Sequence, residues 1–284
     1  MRPTTKAILL VAALATSAVV ATRVQAQDQD APRTIPSDVL AAQPTPRDTG
    51  AGITETEFVP LPGCRLYDTR QGQGGSPIGA GNFRILKVKG PETISGQYAG
   101  QGGKAGGCGV PVAAVAIEAT VTAVSPAGTG YLRLWPSGST ETTSTFLNYI
   151  RNFNPSNTGA LAICNVSCGV ASDLRVRAFG SATHVAIDVQ GYYVKPLAAI
   201  VTSAGTLERG SRVLGVTRPF QGQYLIQFDR TVDQCVATAA VNGTTGNGYA
   251  MIGPDSADNT KVYVFTSDAA GALQNRGFHL TLTC

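Results

Sequence analysis

The sequence predicts an all-β protein: two β-sandwich- or barrel-like domains in tandem, behind a signal peptide and a disordered linker. Three observations carry that prediction. Charged residues are only 14% of the chain while Gly reaches 33 residues, a composition that suits short strands and tight turns. From Phe58 onward, apolar and polar residues alternate with a period of two. No amphipathic helical stretch separates these runs, so the pattern points to a sandwich or barrel.

Residues 1–26 have the layout of a secretory signal peptide. Arg2 and Lys6 precede an uncharged run from Ala7 to Ala21, and Val24-Gln25-Ala26 offers small residues at a cleavage site. The apolar run is shorter than the ~20 residues a spanning helix requires, and no second such run follows, so no transmembrane anchor is expected in the mature chain. No Cys sits just after the cut to carry a lipid. The mature chain is therefore expected to begin near Gln27 and to work outside the cytoplasm, secreted, extracellular or periplasmic. Residues 27–57, with Pro32, Pro36, Pro44 and Pro46 among Asp, Gln, Thr and Ala, bury too little apolar surface to offset their ordering entropy and read as a flexible linker.

The first domain is expected over 58–195. Its clearest strand spans 112–124, where Val115, Ile117, Ala119, Val121 and Ala123 point one way and Glu118, Thr120 and Thr122 the other. Pro126-Ala127-Gly128-Thr129-Gly130 then turns the chain into Tyr131-Leu132-Arg133-Leu134-Trp135, which Pro136 ends. Further strands are expected at 83–89, 144–150, 159–164, 173–179 and 184–194. In the last, Val185, Ile187 and Val189 alternate with His184, Ala186, Asp188 and Gln190.

A second, small β domain is expected over 198–284. Gln223–Asp229, Cys235–Val241, Lys261–Thr266 and Gly277–Cys284 read as strands, and Phe278, Leu280 and Leu282 share a face with Cys284. Asn242-Gly243 and Asn247-Gly248 tolerate the positive φ that hairpin turns demand. A unit this small gains much from a covalent bridge.

Six cysteines in an exported chain imply disulfides before they imply a metal: Cys64, Cys108, Cys164, Cys168, Cys235 and Cys284. If each domain pairs its own, Cys235 must join Cys284. The other four allow three pairings, of which Cys64–Cys108 with Cys164–Cys168 is favoured. Cys164-Asn165-Val166-Ser167-Cys168 has a metal-like spacing, but only His184 and His279 could complete a zinc site, so no metal and no cofactor is expected.

The segments Cys64-Arg65-Leu66-Tyr67-Asp68-Thr69-Arg70, Cys108-Gly109-Val110-Pro111, Gly130–Pro136, Leu147-Asn148-Tyr149 and Asp188-Val189-Gln190-Gly191-Tyr192-Tyr193 together resemble a secreted β-rich domain recurrent in bacterial surface proteins. The resemblance spans most of 58–194. It implies an envelope address beside cell-wall-active or adhesive modules, and no reaction. Residues 198–284, with Gly222-Gln223-Tyr224 and Gly277-Phe278-His279-Leu280, look like a terminal module of similar bacterial proteins.

Charge limits the choice of partner. Removing Arg2, Lys6 and Arg23 from the 22 basic residues leaves 19 against 18 acidic ones, with no Lys/Arg run, so nucleic acid is not an expected partner. His184 and His279 fall in different domains and give no triad. Glu118 and Asp188 are the candidate carboxylate pair for glycoside hydrolysis, although a carboxylate on a strand's polar face needs no such role. Gly102-Gly103-Lys104-Ala105-Gly106-Gly107 lacks the order of a phosphate loop and reads as a mobile loop. Asp68 and Arg70 are expected to form a structural pair locking the first strand to a neighbouring loop. Tyr131, Arg133 and Trp135 share a strand face and are the candidate ligand-binding row. Trp135 would be an open platform for a sugar ring unless that face is covered. The expectation is a non-catalytic surface or matrix protein acting in adhesion or assembly, its partners a glycan or other surface proteins. The alternative is a carbohydrate-binding module for cell wall or exopolysaccharide, and a hydrolase comes a distant third.

Overall fold

The structure is a computed structural model that describes residues 55–71, 75–92, 94–165, 168, 172–243 and 247–284. The expected signal peptide and nearly all of the expected linker lie outside the described residues. The described chain is nearly all β, in four antiparallel four-stranded sheets.

Eight strands surround the first core: β1 (Glu57–Asp68), β2 (Phe83–Leu86), β3 (Ala114–Val124), β4 (Gly130–Pro136), β5 (Leu147–Tyr149), β6 (Ser156–Ala162), β7 (Leu174–Phe179) and β8 (His184–Val194). One short helix, α1 (Gln97–Gly100), interrupts them. The strands form two sheets, ordered β1-β8-β3-β6 and β2-β7-β4-β5. Period-two alternation puts one face of each sheet into a common core. Ile117, Ala119, Val121 and Ala123 from β3 meet Val185, Ile187 and Val189 from β8, with Leu132, Leu134, Leu174, Val176 and Ala178 from the other sheet. Each large aliphatic side chain buried this way contributes about 1.5–3 kcal/mol. Val115, expected on the buried face, is only half-buried. A register shift between Ala114 and Ala116 breaks the alternation there, and Ala114 is the buried residue instead.

Eight more strands enclose a second core: β9 (Leu197–Val201), β10 (Leu207–Ser211), β11 (Val213–Phe220), β12 (Gln223–Phe228), β13 (Val236–Val241), β14 (Gly248–Pro254), β15 (Lys261–Asp268) and β16 (Phe278–Thr283). Their sheets are ordered β10-β9-β16-β13 and β11-β12-β15-β14. Tyr224, Ile226 and Phe228 of β12 face Phe278, Leu280 and Leu282 of β16 across this core. β14 is a strand the sequence pattern does not mark. β13 pairs with β16 and β14 with β15, so these two strands lie in different sheets and form no hairpin with each other.

All six cysteines are bridged, as Cys64–Cys108, Cys164–Cys168 and Cys235–Cys284. The metal-like spacing at 164–168 is thus a local disulfide. Three bridges suit an oxidising compartment, extracellular or periplasmic. Among the described residues no helix is long and apolar enough to cross a membrane.

The glycine-rich loop is held in place, contrary to the mobility expected for it. Gly103 N–H donates to Tyr98 O, Lys104 N–H to Arg65 O and Gly107 N–H to Lys104 O. A side chain at Gly103 would lie 2.1 Å from Leu66 O, so the glycine is there for close backbone packing.

Candidate functional site: the outer face of the β2-β7-β4-β5 sheet

Alternation along β4 turns Leu132 and Leu134 into the core and leaves Tyr131, Arg133 and Trp135 on the outer side, as the sequence implies. Cross-strand register then fills out that face. Tyr131 stands opposite Phe179, Arg133 opposite Arg177, and Trp135 opposite Arg175 on β7. On the far side of β7, Phe83 and Ile85 of β2 stand opposite Arg177 and Arg175. The sequence row of three residues is therefore one column of a larger array.

The array is stacked. The Tyr131 and Phe179 rings lie 4.7 Å apart and 10° from parallel. The Arg133 guanidinium sits over both, 5.4 and 4.8 Å from their centroids. Arg177 lies over Trp135 and Phe179, each at 5.8 Å. Arg175 and Arg177 both sit 5.4 Å from the Phe83 ring. Such cation–π contacts contribute about 0.5–2 kcal/mol each and hold the guanidinium planes in fixed orientations. Two arginines opposed across strands repel, and Glu141 offsets this by pairing with Arg133 at 3.5 Å and with Arg177. Among the described residues no carboxylate pairs with Arg175. The face thus carries, among the described residues, three cations against one anion.

Trp135 does not provide the open platform considered for it. It is 4% exposed, covered by its neighbours on the array, and it lines a hollow of 270 Å³ with Thr142, Ser144, Thr145 and Phe146. Its indole is a packing residue beneath Arg177. Tyr131 and Arg133 are half-buried, and the open apolar positions are Phe83 and Ile85, 39% and 45% exposed. Trp135 Nε1 and the Nε atoms of Arg133, Arg175 and Arg177 are buried without a hydrogen-bond partner among the described residues. All four are donors. In the second core, the outer side of the β11-β12-β15-β14 sheet stacks Tyr263 on Phe265 beside exposed Met251, but it carries no comparable set of cations.

The other candidates are tied into the fold. Asp68 is fully buried and accepts from Arg70 Nε at 2.9 Å, Arg70 Nη2 at 2.7 Å and the Arg70 backbone N–H at 3.0 Å. Arg65 donates to Asp68 and, through Nε at 2.6 Å, to Asp188. Burial pushes the Asp68 carboxyl up, but hydrogen bonding and charge from Arg70, helped by Arg65, outweigh it and hold it below its ordinary value. The Asp68–Arg70 pair is thus part of a four-residue clasp joining β1, the turn after it and β8. Glu118 accepts from Tyr193 Oη at 2.9 Å, so each of the two hydrolase candidates has its own protein partner. His184 Nδ1 lies 3.0 Å from Thr69 Oγ1 beside the first core, while His279 is exposed on β16 of the second.

Sequence reading missed Arg175, Arg177, Phe179 and Phe83. The alternation of Arg175, Arg177 and Phe179 with Leu174, Val176 and Ala178 along 174–179 was a usable signal, but nothing local pairs them with β4 or with Phe83. No protein-family model, curated protein or solved structure matches the chain.

Proposed function

We propose that this chain is an exported, non-catalytic surface or matrix protein that acts in adhesion or assembly, with the outer face of β2-β7-β4-β5 as its contact surface. The observation that carries the reading is the stacked array itself. Seven side chains from three strands are pre-ordered in the free protein, so little conformational entropy remains to be lost on contact. Among the described residues, strand edges and loops elsewhere offer no comparable arrangement of rings and fixed cations. The resemblance of the Cys64–Arg70, Cys108–Pro111 and Asp188–Tyr193 segments to bacterial surface-protein domains supports the same reading.

Carbohydrate recognition is the second reading, favoured by the exposed Phe83 ring between two guanidinium groups. A sugar presents a C–H face to such a ring and oxygen atoms to the donors beside it. Both readings are tested by producing the full chain in a bacterial host and following the exported form. That form should begin near Gln27 and partition with cells or matrix. The double variant Phe83→Ser, Arg175→Ser should be exported and folded yet appear in the medium. Retention of the double variant on cells, or an intact Met1 on a membrane-bound form, would sink the proposal.

A further inference from the structure

We propose that the ligand of this face is an acidic polysaccharide whose sugar units carry carboxylates, an inference that rests on the contact surface assigned above. The four buried orphan atoms on the face are all donors, Trp135 Nε1 and the Nε atoms of Arg133, Arg175 and Arg177. A face lined by guanidinium groups, which donate and cannot accept, calls for a ligand rich in acceptors. Among the described residues, three guanidinium groups set against Glu141 leave the face with excess positive charge. Arg175 is free to take a ligand carboxylate without breaking an ion pair among the described residues.

Shape narrows the anion. A guanidinium fork matches a planar carboxylate through two parallel hydrogen bonds. Arg175 and Arg177 are two residues apart on one face of β7, about 7 Å along the strand, and Arg133 is about 5 Å away across it. These spacings suit charges repeated along a polymer at every unit or every second one. Between the two forks on β7 lies the exposed ring of Phe83, 5.4 Å from each. A uronic acid unit uses both features at once, its C–H face on Phe83 and its carboxylate in the Arg175 fork. An acidic peptide brings the carboxylates without a flat apolar face. Nucleic acid would call for a long-range positive field, which a mature chain of 19 basic and 18 acidic residues does not have.

The test is affinity electrophoresis of the full exported chain through gels containing polygalacturonate, neutral dextran, polyglutamate or DNA. Polygalacturonate should retard the wild type, and raising the salt should weaken the retardation. Arg175→Gln should bind about tenfold more weakly, the loss of one charge-assisted fork. Arg230→Gln, an equal loss of charge on the exposed surface beside the second core, should bind as the wild type does. Thermal melts of both variants matching the wild type keep the comparison one of binding. Equal retardation by dextran, polyglutamate or DNA would overturn the proposal, as would no retardation by polygalacturonate. If polygalacturonate fails while Phe83→Ser, Arg175→Ser still releases the protein from cells, the ligand class is wrong and the contact surface stands. If neither assay responds, both are wrong.

Discussion

Trp135 shows how a single side chain separates two roles. Its position on the outer side of β4 follows from alternation, but the ring is 4% exposed beneath Arg177. Trp135→Ala should therefore cost about 3–5 kcal/mol, read as a lowered midpoint in urea unfolding. Trp135→Phe should cost less, because it keeps a ring under Arg177 and removes an unpartnered donor. A change within about ±0.5 kcal/mol for the alanine variant would mark the ring as exposed surface. Asp68 makes the second residue-scale case. Its carboxyl titrates below its ordinary value in the folded chain, so the unfolded chain takes up the proton first as pH falls. The stabilisation is present above the ordinary value of 3.8 and is lost as pH drops through the lower folded value. Asp68→Asn should lose about 1–3 kcal/mol at neutral pH and flatten the acid limb of the stability profile. An unchanged acid limb would show that other carboxylates dominate it. The loss stays modest because Arg65 and Arg70 keep 38% and 43% of their side chains in solvent and are rehydrated when the partner goes.

At the scale of elements, strand pairing decides what the sequence pattern leaves open. Gly130 opens β4 where a side chain would lie 2.1 Å from Phe179 O, so β4 and β7 approach closely at the end that stacks Tyr131 on Phe179. The second core depends on a different device. Cys235 precedes β13 and Cys284 follows β16, two strands paired along their length, and the bridge closes a loop with a sequence separation of 49. In the loop-entropy model that closure contributes about 4 kcal/mol, an upper value before any residual structure in the unfolded chain. The single Trp lies beside the first core, so indole fluorescence follows that core, whereas Tyr224 belongs to the second. In Cys235→Ser, Cys284→Ser, only the part of the tyrosine near-ultraviolet signal that comes from the second core should be lost at lower urea than in wild type, while the indole transition and the tyrosine signal of Tyr67, Tyr98 and Tyr149 in the first core stay put. Movement of both transitions together would mean that the two cores unfold as one.

At the scale of the whole molecule, an all-β chain with three bridges was legible from the sequence, because β alternation and cysteine number are local or compositional properties. Ile117, Ala119, Val121 and Ala123 are buried as their spacing dictates, and so are Phe278, Leu280 and Leu282. Where an extra residue shifts the ladder, as between Ala114 and Ala116, the periodic reading loses its phase and Val115 comes out half-buried. β14 went unmarked, and turn residues such as Asn242-Gly243 signal a change of direction without saying which sheet receives the next strand. The candidate site was half legible for the same cause. A period of two assigns Tyr131, Arg133 and Trp135 to one side of β4 with no knowledge of the fold. Only the tertiary structure decided that β7 lies beside β4, that Arg175, Arg177, Phe179 and Phe83 therefore join the row, and that the indole ends up beneath Arg177 while Phe83 stays open. Side-chain direction is a property of a strand alone, whereas exposure and neighbours depend on pairings between residues forty or more positions apart.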